Sequence, residues 1–193
     1  RLEELDLPAV TPVGYARLAQ KSVLVTRYLD QSLPYRTLFQ RESLKLYRQH
    51  LLDSIAGLLV QMHLSGVYWG DCSLSNTLFR RDAGELRAYL VDAETSEVYP
   101  GSFPALLRYQ DLEIMEENVN GELRDLQLSG EVALDDPGVP LAQTGATIRL
   151  RYQRLWEEIT REDIINPHER YRIQDRVRSL NELGFSVGDI QLA

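Results

Sequence analysis

Residues 43 to 64 repeat apolar side chains at steps of three and four, the spacing of one face of an α-helix. This stripe consists of Leu44, Tyr47, Leu51, Ile55, Leu58 and Met62. Gly66 follows, at a position where glycine commonly ends a helix. Because a stripe this long has to be covered by other elements, we predict a central core helix around which the rest of the chain packs.

Two short apolar segments follow this helix. Residues 76 to 79 and 88 to 91 flank a charged turn that contains glycine. The pattern predicts a small β-hairpin. Because paired strands bring the two ends of a hairpin together, we expect Asn76 and Asp92 to lie at one edge, with Asp71 in the loop beside them.

The remaining segments predict two strands near the start of the chain and helices further on. β-Branched residues place the strands at 8 to 14 and 22 to 28, and residues 30 to 34 are expected to break the pattern. The helices are expected at 35 to 39, from Pro104 along Leu112, Met115, Val119, Leu123 and Leu126, around Ile148 to Ile159, and from an Asn166 cap to a Gly184 stop. We therefore predict a mainly helical α+β fold.

The 29 acidic and 21 basic side chains give a net charge of −8. Residues 71 to 150 carry the excess, with 15 acidic against 6 basic side chains. An acidic surface repels phosphate backbones, which argues against nucleic acid as a general partner.

The single cysteine, Cys72, excludes an internal disulfide and favours a reducing compartment, so we expect a cytoplasmic protein. The longest apolar run, 55 to 60, is far shorter than the ~20 residues of a membrane span.

Asp71, Asn76 and Asp92 carry the oxygen atoms that phosphoryl transfer from a magnesium nucleotide requires. A carboxylate has to orient the attacking hydroxyl and accept its proton, and hard oxygen ligands have to hold the metal on the phosphates. The order of helix, Asp-x-x-x-x-Asn loop, hairpin and second Asp provides both. Asp and Asn in loops also make local turn hydrogen bonds, and this alternative stays open for each residue taken singly.

The segment Trp69-Gly-Asp-Cys-Ser-Leu-Ser-Asn76 resembles the catalytic loop of the protein-kinase-like superfamily. Its Gly-Asp-x-x-x-x-Asn form is closer to aminoglycoside, choline and lipopolysaccharide kinases than to protein kinases. Leu90-Val-Asp-Ala-Glu94 resembles the metal-binding Asp motif of such kinases. The resemblance implies ATP and Mg²⁺ as cofactors, Asp71 as the catalytic base, and Asn76 and Asp92 as metal ligands.

The segment Leu24-Val-Thr-Arg-Tyr-Leu29 resembles the last strand and hinge of a kinase N-lobe. This implies that backbone groups near Tyr28 and Leu29 meet the adenine. The chain as a whole is similar to an uncharacterised bacterial family of lipopolysaccharide-kinase-like proteins. The resemblance implies a kinase-like C-lobe with hinge strands and with most of the N-lobe absent. The implied divisions are remnant N-lobe strands and hinge, C-lobe, and C-terminal helical appendage, at 1–30, 31–160 and 161–193.

The activity implied is ATP- and Mg-dependent phosphoryl transfer to a hydroxyl of a small molecule or glycan. Trp69 stands where kinases usually place His, Ser73 stands where many place Lys, and the sequence has no glycine-rich nucleotide loop. Because the chain opens at Arg1 without a complete strand or helix signal, we expect it to be part of a longer protein. The alternative is an inactive pseudokinase or scaffold that binds nucleotide or a protein partner.

A second alternative comes from the end of the chain. Residues 171 to 190 resemble the helix-turn-helix of some bacterial regulators, in which arginines contact DNA phosphates. Residues 151 to 183, however, contain seven basic and seven acidic side chains. A packing helix with a glycine stop explains the same pattern, so DNA binding is the weaker of the two interpretations.

Overall fold

A computed structural model describes residues 2–19, 21–41, 44, 47–82, 84–101, 103–131, 141–161 and 167–182 of the chain. Within these residues the fold is mixed α+β and about half helical, which confirms the predicted class. The chain divides into two compact units, Arg1–Gln153 and Arg154–Ala193. No helix in the described ranges has the length and apolar character needed to cross a membrane.

The first strands form an antiparallel ribbon of β1 (Pro12–Leu18) and β2 (Lys21–Thr26). The second strand was predicted, but the bounds 8 to 14 for the first were wrong. The segment before Pro12 pairs elsewhere: the Val10 N–H donates to the Leu90 carbonyl at 2.9 Å, and the Leu90 N–H donates to the Pro8 carbonyl at 2.8 Å. The predicted strand at 8 to 14 therefore covers two different pairings. Residues 8–10 pair with Leu90, and the residues from Pro12 onward pair with β2.

The predicted hairpin is present as β5 (Thr77–Asp82) and β6 (Glu85–Leu90). A short strand, β3 (Ser32–Pro34), pairs with the other edge of β5, so the sheet order is β3-β5-β6. The sequence indicated a break in the pattern at this point rather than a strand. Pro34 is compatible with a strand here because β3 lies at the edge of the sheet, where no neighbour requires its N–H.

The central helix is α2 (Tyr47–Leu64), which follows the short α1 (Tyr35–Gln40) and packs against β6. Of the predicted stripe, Leu51, Ile55, Leu58 and Met62 are buried. Leu52 and Leu59 are buried as well, so the helix is covered on more than one side and is the core helix that its pattern predicts. Part of the predicted N-terminal turn, residues 42, 43, 45 and 46, lies outside the described residues.

Two further helices complete the first unit: α3 (Ala105–Leu128), and α4 (Thr144–Thr160), whose last residues belong to the second unit. The five predicted stripe residues of α3 are all buried, which confirms a helix that starts after Pro104. On α4, Ile148 and Tyr152 are buried. Near the start of α4, a Cβ built on Gly145 would lie 2.7 Å from the Glu116 carbonyl, so this glycine allows the two helices to approach closely.

The second unit contains the end of α4, a 3-10 turn at Pro167–Glu169, and α5 (Arg170–Glu182). Arg176 of α5 donates to the carbonyls of Glu158 and Arg161, and thereby satisfies orphan carbonyls at the end of α4. The predicted Asn166 cap, the Gly184 stop and the second helix of the DNA-binding alternative lie outside the described residues.

Candidate active site

The loop that carries Asp71 begins where α2 ends. Gly66 adopts a φ of +74°, and after the short strand β4 (Val67–Tyr68), which pairs with β7 (Glu97–Val98), Gly70 adopts a φ of +82°. A Cβ on Gly66 would lie 2.6 Å from the Tyr99 carbonyl, and one on Gly70 would lie 3.0 Å from the Thr95 carbonyl. Both positions therefore require glycine for two reasons: the backbone is left-handed, and a Cβ would collide with a backbone carbonyl.

Asp71 and Asn76 are in direct contact. The Asn76 Nδ2 donates to the Asp71 Oδ2 at 2.9 Å and to the Asp71 backbone carbonyl at 3.2 Å. Because both partners are acceptors, they fix which end of the amide is nitrogen. The Asn76 side chain therefore uses its nitrogen on Asp71, which leaves its Oδ1 as the atom that it can offer to a ligand.

Asn118 is a site residue that the sequence did not indicate. Its Nδ2 donates to the Asp71 Oδ1 at 3.0 Å and to the Cys72 carbonyl at 3.1 Å. It projects from the middle of α3, 47 residues further along the chain than Asp71. Each oxygen of the Asp71 carboxylate thus accepts an amide N–H, one from the loop and one from α3.

Asp92 follows β6 at the same end of the hairpin as Asn76. Thr77 stands opposite Leu90, and the Val91 N–H donates to the Asn76 carbonyl at 3.0 Å. The Asp92 side chain is exposed, and its Oδ1 accepts the Glu94 N–H at 2.9 Å in a local turn. The structure therefore joins Asp71 to Asn76 by hydrogen bonds, whereas Asp92 is adjacent to Asn76 through the strand pairing.

The two predicted hinge residues follow β2. Tyr28 is 79% exposed. The Leu29 carbonyl accepts a hydrogen bond from the Ser32 Oγ at 2.8 Å, which turns the chain toward β3. Among the described residues, no hydrogen bond links either of them to the Asp71 loop.

Two carboxylates of α3 accept hydrogen bonds from backbone N–H groups of the Asp71 loop, residues 69–76. Asp111 accepts the Trp69 N–H at 2.7 Å and the Gly70 N–H at 2.8 Å. Glu122 accepts the Leu74 N–H at 2.8 Å and the Ser75 N–H at 2.9 Å. With Asn118 between them, these residues repeat at steps of seven and four, so they share one face of the helix.

Two groups near this loop have shifted pKa values. Burial raises the pKa of the Cys72 thiol well above its usual value, and the nearby charges of Asp111 and Asp71 raise it further. Cys72 is a free, buried cysteine, and a raised pKa disfavours the thiolate that a nucleophile requires. Burial lowers the pKa of the His63 imidazole, although its hydrogen bond to Asp111 acts in the opposite direction. Trp69 is 1% exposed and supports the loop from the core.

The donors at this site suit a hard cation. Asn76 supplies an amide oxygen and Asp92 a carboxylate, and Mg²⁺ is commonly bound by one or two protein carboxylates or amides together with phosphate oxygens. Within the described parts of the chain, no group of three His, Cys, Asp or Glu side chains converges to hold a metal by itself. Asn76 and Asp92 would share a bound Mg²⁺ with phosphate oxygens and water.

The sequence matches two family models, and the fold is similar to solved structures. Residues 1–131 match the sequence model of the lipopolysaccharide kinase (Kdo/WaaP) family, and residues 154–193 match a domain of unknown function (DUF4032). Among solved structures, the chain is similar to WaaP in complex with acyl carrier protein, with a TM-score of 0.53, 19% identity and coverage of 94% of this chain and 72% of that one. It is also similar to the Rio2 kinase from Chaetomium thermophilum, solved with ADP/Mg²⁺ and phosphoaspartate, with a TM-score of 0.44, 16% identity and coverage of 94% and 51%. No curated protein matches the sequence.

Proposed function

Because the chain belongs to the lipopolysaccharide kinase (Kdo/WaaP) family, we propose that it transfers a phosphoryl group from ATP, with Mg²⁺, to a hydroxyl of a small molecule or glycan. The family match supports kinase-like phosphoryl transfer, and the likeness to WaaP supports the fold. The observation that carries the proposal is the Asp71 carboxylate, with an amide N–H at each oxygen, in the loop before the β5–β6 hairpin.

In this proposal Asp71 accepts a hydrogen bond from the attacking hydroxyl and takes its proton as the phosphoryl group is transferred. Its amide partners, Asn76 and Asn118, hold the carboxylate in one orientation. Orientation of this kind converts binding energy into rate, because the attacking oxygen is placed in line before the reaction begins. The four loop N–H groups held by Asp111 and Glu122 keep the backbone of Asp71 fixed.

Asn76 and Asp92 are the proposed metal ligands, because their oxygens lie at one end of the hairpin. Bound Mg²⁺ would neutralise charge on the phosphate oxygens. The Asn76 amide would serve two roles at once, since its nitrogen holds Asp71 and its oxygen would bind the metal. This double role explains why an amide rather than a third carboxylate suits the position.

We also propose that the backbone near Tyr28 and Leu29 binds adenine and that residues 31–160 act as the C-lobe, with residues 1–30 as the last part of an N-lobe and 161–193 as an appendage. The exposed ribbon supports this division. Tyr15 and Leu24, paired across the ribbon, are 66% and 63% exposed, and Val23 on the opposite face is 45% exposed. Apolar residues on both faces of a two-stranded ribbon are typical of strands that pack in a larger sheet.

A thermal-shift titration tests nucleotide binding. We expect Mg-ATP to raise the melting temperature of the wild-type protein, and we expect Asp92→Ala to lose the part of the shift that depends on Mg²⁺. Glu113→Ala, which removes an exposed carboxylate from α3, is the matched control. If neither ATP nor Mg²⁺ moves the melting temperature of the full-length protein, the site assignment fails.

A transfer assay separates the kinase from the pseudokinase. Radiolabelled ATP is offered with Mg²⁺ and a panel of lipopolysaccharide core sugars and small alcohols, to wild type and to Asp71→Asn. We expect Asp71→Asn to keep the nucleotide-dependent thermal shift and to lose transfer, because the carboxylate that takes the proton is gone. Binding without transfer in the wild type, across all acceptors, would favour the scaffold alternative.

A gel shift that stays blank at low salt would remove the DNA-binding alternative.

A further inference from the structure

The segment that follows Asp92 is joined to the Asp71 loop by a side-chain hydroxyl. The Thr95 Oγ1 donates to the Trp69 carbonyl at 2.8 Å. Thr95 comes three residues after Asp92, and Trp69 comes two residues before Asp71. This hydrogen bond therefore links the segment that carries the proposed metal ligand to the loop that carries the proposed base.

Thr95 also packs against the backbone of Gly70. A Cβ built on Gly70 would lie 3.0 Å from the Thr95 carbonyl and 3.3 Å from the Thr95 Cβ. The pairing of β4 with β7 ends at Tyr68, which stands opposite Glu97. Gly70 and Thr95 each lie two residues beyond this pair, so the hydrogen bond and the close contact keep the two segments together past the end of their strands.

The turn at residues 92–96, the Asp92 turn, has two hydrogen bonds of its own. The Asp92 Oδ1 accepts the Glu94 N–H at 2.9 Å, and the Ser96 N–H donates to the Ala93 carbonyl at 3.1 Å. Because these bonds fix the shape of the turn, a group that holds one end of it also restrains the carboxylate at the other end.

The Asp92 turn is anchored on both sides. Before it, the Val91 N–H donates to the Asn76 carbonyl at 3.0 Å. At its far side the anchor is the Thr95 hydroxyl. Residues 92–95 are exposed, so apolar burial contributes little to their position, and hydrogen bonds contribute correspondingly more.

We propose that Thr95 is a positioning residue, which sets where the Asp92 turn presents its carboxylate relative to the Asp71 loop. The inference deepens the proposed function and rests on it for the role of Mg²⁺ at Asp92. The hold of Thr95 on the turn is a property of the chain itself and is tested without nucleotide.

The loss of the Thr95 hydroxyl would leave the Trp69 carbonyl with a poor substitute. The Ser96 Oγ lies 3.5 Å from the same carbonyl, at the outer limit of a hydrogen bond. The turn is then expected to shift relative to the Asp71 loop. Because Mg²⁺ demands near-ideal octahedral geometry, a displaced carboxylate should weaken metal binding while the binding of ATP alone is unchanged.

Protection factors of the amides at positions 94 and 96, measured by NMR hydrogen exchange without nucleotide, test the hold on the turn. We expect Thr95→Val, which keeps the branched shape without the hydroxyl, to lower both factors about fivefold, the effect of one hydrogen bond. Thr95→Ala should match Thr95→Val, which separates the lost hydroxyl from any strain caused by valine. Thr95→Ser keeps the hydroxyl and should stay within about twofold of wild type, as should the control Ser96→Ala.

The dependence on Mg²⁺ tests the consequence for the site. In thermal-shift titrations of the full-length protein with saturating ATP, we expect Thr95→Val to raise the half-maximal concentration of free Mg²⁺ about fivefold. The shift produced by ATP without Mg²⁺ should stay unchanged. Thr95→Ser and Ser96→Ala should keep the wild-type midpoint to within about twofold. A general loss of stability would lower the melting temperature with and without Mg²⁺ alike and would not move this midpoint.

Equal protection factors for Thr95→Val and Thr95→Ser would overturn the proposal, as would a wild-type Mg²⁺ midpoint in Thr95→Val. If Mg-ATP produces no thermal shift in the wild type while the protection factors follow the expected pattern, the proposed function fails and the hold of Thr95 on the turn stands. If the wild type binds Mg-ATP and every Thr95 variant behaves as the wild type does, the proposed function stands and the role of Thr95 fails.

Discussion

At the scale of single residues, the notable feature is a carboxylate held at both oxygens by amides from different elements. Asn76 arrives from the same loop, and Asn118 arrives from α3. Neutral donors orient a carboxylate without placing a full positive charge beside it. A kinase that uses lysine two positions after the Asp has a cation there, whereas this chain has Ser73, whose Oγ accepts the Asn76 N–H at 3.2 Å. The orienting role therefore falls to the amides.

The first prediction concerns Asn118→Ala. We expect phosphoryl transfer to slow by about tenfold or more, because small misplacements of a reacting group are costly to rate. The free energy of unfolding should fall by only about 1 kcal/mol, the worth of a typical hydrogen bond. Initial rates of transfer of the labelled phosphoryl group from Mg-ATP to an acceptor, together with urea melts, measure the two effects. Glu117→Ala, at the adjacent exposed position, is the control, and equal rates for the two variants would show that Asn118 does not orient Asp71.

The second prediction concerns Gly70→Ala. The left-handed backbone and the 3.0 Å approach to the Thr95 carbonyl should together lower the free energy of unfolding by about 2 kcal/mol or more. Gly84→Ala provides the comparison, since Gly84 also has a positive φ, of +98°, but a Cβ there meets nothing within 4 Å. Chemical denaturation measures the loss in the free energy of unfolding for both variants. Because both positions have the left-handed backbone strain, the difference between the two losses gives the effect of the close contact at Gly70. A smaller loss at Gly70 than at Gly84 would contradict the steric argument.

At the scale of elements, the sequence predicted what local periodicity determines. The stripe of α2, the glycine turn between β5 and β6, and the stripe of α3 each depend on spacings of two to four residues, and all three are confirmed. The polar face of α3 was not predicted, because Asp111, Asn118 and Glu122 find their partners more than 40 residues away. Polar residues at steps of seven and four beside an apolar stripe were the available signal. They are also typical of a solvated face, so the sequence alone does not decide between the two.

The third prediction concerns the packing of α4 on α3. Gly145→Ala places a methyl group 2.7 Å from the Glu116 carbonyl and 2.9 Å from its Cα, where backbone has to move. We expect a loss of about 1–3 kcal/mol in the free energy of unfolding. Gly57→Ala, inside α2 with nothing within 4 Å, should instead stabilise the protein by about 0.5–1 kcal/mol through helix propensity. Thermal unfolding of the two variants measures the contrast, and a stabilised Gly145→Ala protein would show that the helices are not in close contact.

At the scale of the whole molecule, the acidic middle of the chain has two uses. Much of it is exposed, as expected for a solvated surface, but Asp111 is fully buried and Glu122 holds two loop N–H groups. The excess of acidic side chains therefore includes two that hold the backbone of the Asp71 loop by hydrogen bonds. The net charge of −8 did not reveal this, because a count does not distinguish a carboxylate that faces water from one that accepts backbone hydrogen bonds.

The last prediction concerns the dependence of stability on pH, which follows from groups whose pKa values differ between the folded and the unfolded state. The pKa of His63 is lowered in the folded state, so its contribution is present above 6.5 and is lost as the pH falls from 6.5 through the folded value. Hydrogen bonds from Arg80 and Tyr89 lower the pKa of Asp82, which adds a second loss below 3.8. Burial raises the pKa of Cys72, so that contribution is present below 9.0 and is lost as the pH rises further.

We therefore expect maximal stability between about pH 6.5 and 9, with slopes of up to ~1.4 kcal/mol per pH unit for each group. Urea melts from below pH 3.8 to above pH 9 test it: His63→Gln should remove the loss that begins at 6.5 and leave the loss below 3.8, whereas an unchanged upper acid limb would show that His63 titrates normally.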